Sequence, residues 1–445
     1  MNKRFITFDF SKPQGKLKPI NSINQGPLFS DGLEVDFTDE YKACAFSQVR
    51  VSDMGRPYGL NQYIDVHCIF PDFSLDERFP ESYNFEPTDR YLKAVANTGA
   101  EIFLRLGESL DRFAFKPYTL APRDVEKWAR VVEHIIAHYN EGWGKGLKLK
   151  IKYVEIWQCV DREEGWSSDS EDYLEFYRLV ANHLKERFPR LKIGAYSSGG
   201  FCALNHYDAS EEQKAYITYL ERFLAYISNK ETYAPLDFLS WECYADEPEE
   251  ISLHSNYARS YLAQSAHKKA QSIVTSFDVG CKGDKRVNRH YPSSLIASLI
   301  IAHKCQIDAM FYSSASQTGS TPTMFFSDTQ GKKYTFGAYQ AYKAFGELYK
   351  YPKLATSSED YRREVYSLGT YSDTEGAIIV TSRDYQGIVE LTLKQKSFTN
   401  YTVVGMVGGG EGGRGIVSAS GILPLTSDKI TLKVGSFEVY LITLK

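Results

Sequence analysis

Residues 124–143 read DVEKWARVVEHIIAHYNEGW, and a little further on residues 152–157 read KYVEIW. In the first stretch the apolar side chains recur at a spacing of three to four, which places them on one face of an amphipathic helix. The second stretch is short, apolar and rich in branched and aromatic residues, as expected of a buried strand. A helix followed by a buried strand is the repeating unit of parallel α/β folds. The helical stripe consists of Val125, Trp128, Val131, Val132, Ile135, Ile136 and Tyr139.

The same alternation extends on both sides of this unit, from about residue 44 to residue 350. Further helical patterns cover residues 171–188, 211–230, 256–270 and 293–304. Eight strands, mostly separated by helices, predict an α/β protein with a (β/α)8 TIM barrel, while a doubly wound open sheet would give the same alternation. The strand candidates are residues 45–51, 63–70, 101–106, 152–157, 192–196, 237–241, 272–277 and 308–313.

The pattern changes after Tyr351-Pro352, where short strand-like runs are separated by turn residues. Such runs predict an all-β sandwich, which the N-terminal run at residues 4–10 is expected to join. The predicted parts are an N-terminal strand and lead-in (1–27), the barrel (28–352) and the C-terminal sandwich (353–445). The C-terminal runs are residues 364–371, 376–382, 388–394, 401–406, 429–434 and 438–443.

The composition of the 445 residues argues against several classes of protein. The chain is 43% hydrophobic and 24% charged, which is typical of a globular protein rather than a disordered one. A net charge of -4 predicts no nucleic-acid partner, and no apolar run is long enough to span a bilayer. The seven cysteines include no Cys-x-x-Cys pair, which favours reduced thiols. We expect a cytoplasmic protein without a cofactor, or a secreted or periplasmic one if a leader was removed; the oligomeric state stays open.

Several motifs lie near the carboxyl ends of the proposed strands. They include KPINSINQGP at residues 18–27, DVHCIFPDF at 65–73, FLRLG at 103–107, IIAHYNEGW at 135–143 and DFLSW at 237–241. In this order and spacing the sequence resembles glycoside hydrolase family 39 and related clan A bacterial glycosidases, over most of the chain. The resemblance implies a barrel with a β-sandwich, a carbohydrate ligand and hydrolysis of a glycosidic bond.

The residues that carry the chemistry of that family are replaced here. In the family the acid/base glutamate lies in a Trp-Asn-Glu-Pro stretch ending strand four, and residues 157–160 read WQCV instead. The nucleophile lies in an Asn-Glu-Trp or Thr-Glu-Trp stretch ending strand seven, and residues 275–277 read TSF. By this resemblance Cys159 and Ser276 take the places of the two glutamates that retaining hydrolysis needs. The same comparison singles out Ser52, Gln158 and Glu242 as further replacements and Asp53 as a match.

Any remaining hydrolysis would need other carboxylates. Glu242 follows the sixth proposed strand, and Asp278 lies two positions beyond Ser276 on the same side of its strand. Acting through water as acid and base, this pair would suit an inverting geometry of about 6.5–9.5 Å. Asp53 and Asp161 lie on neighbouring loops and are further candidates.

The other side chains at the strand ends leave two alternatives open. The aromatic rings either stack on a sugar or close the barrel core. Cys159 is either a nucleophile or a small buried thiol, and the spacing of Cys159, Cys243 and Glu242 does not favour a metal, so none is expected. The candidate sugar-contacting residues are Ser52, Asp53, Trp157, Gln158, Asp161, Trp241, Tyr244, Phe277 and Tyr312.

Three hypotheses for function follow from these residues. The first is a glycoside hydrolase-like protein that binds a glycan in the barrel mouth without ordinary retaining catalysis. The second is a glycosidase with a noncanonical site that uses Glu242 and Asp278. The third is a non-catalytic scaffold protein, for which the sequence holds no positive signal.

Overall fold

Eight parallel strands form a closed barrel in the computed structural model of the protein. The eighth strand pairs in parallel with the first, which excludes the open sheet and confirms the (β/α)8 barrel. The two ends of the barrel therefore differ, and the carboxyl ends of all eight strands form one mouth. The barrel strands, numbered one to eight in chain order, are Ser22–Asn24, Gln48–Val51, Glu101–Leu106, Tyr153–Ile156, Lys192–Ser198, Phe238–Ala245, Gln271–Val279 and Ala309–Tyr312.

The structure describes residues 3–30, 34–52, 64–110, 118–280, 284–285, 287–313, 315, 324–357, 364–394, 398–409 and 416–445. Within these ranges, none of the helices has the length and apolar character needed to cross a membrane. The α-helices are Thr38–Cys44, Val66–Ile69, Glu86–Asn97, Val125–Asn140, Ser170–Arg187, Glu211–Ser228, Glu250–Gln264, Tyr291–Lys304 and Gly337–Gly346, and short 3-10 helices span Pro80–Ser82, Trp143–Lys145, Cys202–Leu204 and Glu347–Lys350.

The amphipathic helix predicted at residues 124–143 is present as Val125–Asn140. The Asp124 carboxylate accepts a hydrogen bond of 2.8 Å from the backbone N–H of Lys127, which satisfies one of the unpaired donors of the first turn. The predicted apolar stripe is buried except at Val125, which lies at its edge. Burial of that stripe between the helix and the barrel holds the helix in place, so the period of the sequence found it correctly.

The barrel interior is packed rather than hollow. The rings of Phe103, Phe238 and Phe311 meet inside it, with centroids 5.1 Å apart for Phe103 with each of the other two. The Arg50 guanidinium and the Glu155 carboxylate form a buried ion pair of 2.5 Å between strands two and four. Because the interior is filled, an accessible site can form only at an end of the barrel, and barrel enzymes use the carboxyl end.

Two expectations about the first strands are wrong. Residues 63–70 were expected to be a strand, but they contain the helix Val66–Ile69, because Val66, Ile69 and Phe70 are all buried at a helical spacing. The first barrel strand is instead Ser22–Asn24, and the predicted run at 45–51 belongs to strand two. The barrel therefore begins before residue 28, within residues 1–27, for which the sequence predicts a lead-in.

The C-terminal residues form two packed antiparallel sheets, as predicted for a sandwich. The N-terminal strand joins the smaller sheet by pairing in parallel with Gly387–Lys394, which confirms its expected place. A separate apolar cluster that includes Ile6, Phe8, Val389 and Ile442 fills this module. In order across each sheet, the smaller contains Thr356–Ser357, Lys3–Asp9, Gly387–Lys394 and Lys429–Val434, and the larger contains Lys353–Leu354, Val365–Tyr371, Gly376–Ser382, Glu438–Leu444, Asn400–Val407 and Ile416–Ala419, with Leu423–Pro424 also paired to Asn400–Val407.

Two short hairpins lie outside these sheets. Phe325–Ser327 pairs with Lys333–Thr335, and Leu28–Ser30 pairs with Glu34–Asp36. The ring of Phe325 packs on Phe37 and Tyr41 beside the first hairpin. Neither hairpin is hydrogen-bonded to a barrel strand among the described residues.

Candidate functional site

The end of strand four turns sharply over the barrel mouth. Trp157 and Cys159 both have positive φ angles, of 66° and 50°, which non-glycine residues seldom adopt. The indole N–H of Trp157 donates to the carbonyl oxygen of Gly165 over 2.7 Å, and the ring is buried against Trp166. The backbone N–H of Cys159 donates to the carbonyl oxygen of Tyr196 over 2.5 Å. These contacts fix Cys159 between the ends of strands four and five.

Glu242 joins the end of strand six to the end of strand four. Its Oε1 accepts a hydrogen bond from the Cys159 thiol at 3.4 Å, and its Oε2 lies 2.6 Å from Nη2 of Arg162. Arg162 also lies over the ring of Tyr216, with 5.1 Å from its guanidinium carbon to the ring centroid. Burial, and then the Glu242 carboxylate, raise the pKa of the Cys159 thiol well above its ordinary value. Cys159 is therefore a neutral thiol at neutral pH, which argues against the nucleophile hypothesis.

Ser276 lies beside Glu242, because the two residues are partners in the register of strands six and seven. Its hydroxyl is 2.6 Å from the hydroxyl of Tyr244. Tyr244 is 54% exposed, so its ring faces solvent next to these polar groups. The end of strand seven thus contributes a hydroxyl held by a tyrosine, and no histidine or carboxylate contacts Ser276 among the hydrogen bonds of the described residues.

Asp278 is held by a different set of partners. It accepts hydrogen bonds from the Tyr291 hydroxyl at 2.6 Å and from Lys285 Nζ at 2.5 Å. The Tyr291 hydroxyl is in turn 2.7 Å from the hydroxyl of Tyr312. Glu242 and Asp278 are therefore each paired with their own cation, and the structure does not place them in contact.

Asp161 carries the buried carboxyl group closest in sequence to Cys159. Its Oδ2 accepts hydrogen bonds from the backbone N–H of Gly199 at 2.8 Å and from the Ser198 hydroxyl at 3.1 Å. Its Oδ1 is buried and has no hydrogen-bond partner among the described residues. Burial raises the pKa of this carboxyl to about 7, against the lowering effect of the Gly199 N–H and of Arg162. Asp161 can therefore hold or release a proton near neutral pH.

Ser52 and Gln158 lie around Arg50 at the base of the mouth. Nη1 of Arg50 donates to the Ser52 hydroxyl over 2.9 Å, and Nη2 donates to Oε1 of Gln158 over 3.1 Å. Gln158 also donates to the carbonyl oxygen of Glu108 over 3.3 Å. Asp53, the neighbouring candidate, lies outside the described residues. Ser52 and Gln158 thus form the polar base of the mouth, and the guanidinium of Arg50 on strand two holds them in place.

A cavity of about 460 Å³ opens beside the Arg162–Glu242 pair. It lies between the chain segments that follow strands four, five and six. Its wall combines a guanidinium, carboxylates, amide and hydroxyl groups with two tyrosine rings. The lining residues are Arg162, Gly199, Phe201, Cys202, Asp208, Ser210, Glu212, Gln213, Tyr216, Glu242, Tyr244 and His254.

Comparison with known proteins identifies the family of this barrel. The family model described as glycosyl hydrolases family 39 matches residues 38–279, which is more than half of the chain. The chain belongs to glycosyl hydrolase family 39. A curated relative, the beta-xylosidase of Geobacillus stearothermophilus, is 20% identical over 230 residues, which are 47% of this chain and 44% of the relative. The match thus spans less than half of that relative's length.

Solved structures share the fold of this family 39 chain over its whole length. A glucosidase from Croceicoccus marinus has a TM-score of 0.80 at 17% identity, covering 100% of this chain and 99% of that one. A monomeric beta-xylosidase from Caulobacter crescentus CB15 has a TM-score of 0.67 at 14% identity, covering 99% of each chain. A GH51 alpha-L-arabinofuranosidase from Thermotoga petrophila RKU-1 has a TM-score of 0.69 at 9% identity, also covering 99% of each.

In this family 39 barrel, most of the aromatic candidates lie in the core rather than in the mouth. Trp241 is fully buried, and its indole N–H donates to the Ser272 hydroxyl over 3.0 Å. Trp157, Phe277 and Tyr312 are also at most 1% exposed. Of the two alternatives for these four rings, the structure shows core packing, whereas the ring of Tyr244 remains open to solvent.

Several residues of the site were not found from the sequence. Arg162 follows Cys159 by three positions, but its pairing with Glu242, 80 residues away, depends on the fold. Tyr216 and Gln213 belong to the helix Glu211–Ser228. Its amphipathic pattern indicated which side packs on the barrel but not which residues line the cavity. His67 and Glu108 also contact each other near the mouth; His67 lies within the family motif at 65–73, and Glu108 follows the motif at 103–107 directly. The available signal for Arg162 was its place on the segment that follows strand four, three positions after Cys159.

Proposed function

We propose that this family 39 protein binds a carbohydrate in the cavity at its barrel mouth and does not perform ordinary retaining hydrolysis. The observation that carries the proposal is the contact of Cys159 and Arg162 with the two oxygens of Glu242. A thiol stands at the strand end where the family resemblance implies the acid/base. The nearest carboxylate, that of Glu242, is already held in an ion pair with the Arg162 guanidinium and is not at the acid/base position.

The chemistry of retaining glycosidases supports the absence of ordinary turnover. That reaction needs two carboxyl groups about 5–5.5 Å apart, one as acid/base and one as nucleophile. Ser276 offers only a hydroxyl, and its contact is another hydroxyl, that of Tyr244. Loss of a general acid alone lowers a rate by about 10²–10⁴-fold, and here the family nucleophile is replaced as well.

The lining of the cavity suits sugar binding. The exposed ring of Tyr244 offers an apolar face for stacking, and Arg162 and Glu242 offer a donor and an acceptor for hydroxyl groups. Both charged groups are largely buried and hold each other in place. They are therefore ordered before a ligand binds, which lowers the entropic cost of binding.

The proposal is tested by a binding screen followed by two matched variants. Xylo- and gluco-oligosaccharides, chosen from the names of the relatives, are screened by thermal shift, and each hit is measured by calorimetry. Tyr244→Ala should weaken binding by about 10-fold, the value of a lost aromatic stacking contact. Tyr207→Ala is the control, because Tyr207 is fully exposed and does not line the cavity.

Three results would contradict this function. One is a folded protein that binds no sugar in the screen, and another is binding that Tyr244→Ala and Glu242→Gln both leave unchanged. The third is covalent labelling of the unmodified protein by a mechanism-based glycosidase inhibitor, since that labelling requires a working nucleophile.

A second candidate function rests on Asp161. Because burial raises the pKa of its carboxyl to about 7, Asp161 could donate a proton at neutral pH in a noncanonical hydrolysis. This candidate predicts turnover of a hit from the screen, and loss of that turnover by at least about 10²-fold in Asp161→Asn with binding retained. The noncanonical pair expected from the sequence would instead show the loss in Glu242→Gln and Asp278→Asn.

A further inference from the structure

A second group of functional side chains lies at the mouth, beside the end of strand three. Asp65 and His67 come from the segment that contains helix Val66–Ile69, and Glu108 follows strand Glu101–Leu106 by two residues. One nitrogen or carboxylate oxygen from each of the three lies within 4.8 Å of the others. Their chemistry is that of a metal site, because imidazole and carboxylate groups are the usual nitrogen and oxygen ligands of Zn²⁺.

One oxygen in this group has no other use. Oδ1 of Asp65 accepts hydrogen bonds from Nη2 of Arg105 at 2.6 Å and from the Ser109 hydroxyl at 2.9 Å. Oδ2 of Asp65 accepts no hydrogen bond from the described residues. It is also shielded from solvent, because Asp65 is only 1% exposed. A buried carboxylate oxygen without a partner is costly, so such atoms usually have a ligand or an ion beside them.

The surroundings of His67 orient its ring for a metal. Nδ1 contacts Oε2 of Glu108, while Nε2 lies 3.3 Å from the thiol sulfur of Cys68. Nδ1 and Oε2 of Glu108 share a proton, and a Zn²⁺ ion that replaces this proton would contact both atoms while the proton leaves to solvent. The ring of Tyr118 is stacked on the imidazole with 3.7 Å between centroids. Outer contacts of this kind fix the tautomer and the ring plane of metal-bound histidines.

We propose that Asp65, His67 and Glu108 form a Zn²⁺ site at the barrel mouth. The two carboxylates supply negative charge, and Arg105 and Ser109 hold Asp65 in position. Three protein ligands leave a fourth tetrahedral position for water or a bound molecule. Ligand bonds of about 2 Å let two ligand atoms lie up to about 4 Å apart, so a small side-chain movement closes the site on the ion. The ion can enter from solvent, because the His67 side chain is 21% exposed.

A second cluster in the same structure provides a matched control. His206, Asp246 and Glu250 also bring one ligand atom each within 4.8 Å of the others. In that cluster Asp246 is exposed, and none of the three has a buried oxygen that lacks a partner. The two clusters contain the same residue types and differ in burial and in the unpaired oxygen. Comparing their effects on metal binding therefore distinguishes a buried, ordered site from a group of surface residues.

The test measures metal binding by the full-length chain and does not depend on any sugar. The purified protein is treated with a chelator, dialysed and titrated with Zn²⁺ in a calorimeter, with Mg²⁺ in a parallel titration. We expect one Zn²⁺ per chain and no competition from Mg²⁺, which prefers six oxygen ligands. His67→Gln and Glu108→Gln should each weaken Zn²⁺ binding by at least about 100-fold, while His206→Gln should leave it unchanged.

The outcomes decide the proposal in either direction. Circular dichroism establishes that each variant is folded, and His67→Gln serves if Glu108→Gln does not fold, because His67 is the less buried of the two. Binding that is absent in the unmodified protein, equal in all three variants or lost only in His206→Gln would overturn the site. Because the readout is the ion itself, failure here leaves the carbohydrate proposal untouched, and a failed glycan screen leaves the Zn²⁺ site untouched.

Discussion

Replacement of Asp161 by asparagine should change how the stability of the barrel depends on pH. The carboxyl of Asp161 is buried with one unpaired oxygen, and burial raises its pKa from 3.8 to about 7. In the unfolded chain the same group has its ordinary pKa. Between about pH 4 and pH 7 the folded state therefore binds one proton that the unfolded state has released.

The sign and size of the effect follow from this difference. Because the pKa is raised in the folded state, the stabilisation that this proton gives is complete below about pH 4 and is lost as the pH rises through about 7. The free energy of unfolding then falls by about 1.4 kcal/mol per pH unit across that window. From pH 5 to pH 8 the unmodified protein should lose about 2–3 kcal/mol through this group, a loss that Asp161→Asn cannot show.

Urea unfolding at pH 5 and pH 8 measures this loss. Tryptophan fluorescence reports the barrel alone, because all five Trp residues lie between residues 128 and 241. Asp172→Asn is the control, since Asp172 is exposed on helix Ser170–Arg187 and its replacement should change the free energy by at most about 0.5 kcal/mol. If Asp161→Asn and the unmodified protein lose the same stability between the two pH values, Asp161 does not carry the proton and the reasoning is refuted.

Three other replacements test the remaining contacts of the mouth. Arg162→Met should lower the free energy of unfolding, measured in urea, by about 3–5 kcal/mol, because Glu242 is left buried without its cation. Adding Glu242→Gln should restore part of the lost free energy. An unchanged urea midpoint in Arg162→Met would contradict the pairing. Gly107→Ala should destabilise the barrel by about 1–3 kcal/mol, since its φ is 142° and an added Cβ would lie 2.9 Å from the Trp157 ring; a neutral effect in the same assay would contradict this packing. Ser276→Glu alone should give at most weak hydrolysis of an aryl xyloside in a chromogenic assay, and strong activity would mean that the other groups for retaining chemistry are intact.

The elements that the sequence predicted correctly are those whose buried side chains repeat at a clear period. The helix Val125–Asn140 and seven of the eight barrel strands belong to this group. Strand Ser22–Asn24 escaped because it has only three residues and two of them are polar. Its Asn24 amide donates to the carbonyl oxygen of Thr275 on strand seven over 2.7 Å, a contact between distant parts of the chain that no local pattern records. The strand prediction over residues 63–70 was wrong because a short apolar run with spacings of three and one is compatible with both a strand and a helix.

The candidate site was harder to predict because its partners are distant in sequence. The sequence indicated that Glu242 and Asp278 lie at the mouth, and the structure places both there. It could not show that Arg162 neutralises one and Lys285 the other, since those contacts depend on where separate chain segments meet. The sequence also could not show which aromatic candidates are buried. The ring of Trp157 packs against Trp128 and Phe176 of the helical layer, whereas Tyr244 is exposed.

The charged pairs of the mouth are consistent with the proposed binding of a ligand. Glu242 is paired with Arg162 and Asp278 with Lys285, so each of these carboxylates has a cation within 2.6 Å. Each of these carboxylates is held in position by its cation, so it is ordered before a ligand binds. Asp161 differs, because its carboxyl is buried with an unused oxygen. The proposed binding and the alternative hydrolysis thus involve different residues of the same mouth, so Asp161→Asn tests turnover while Tyr244→Ala tests affinity.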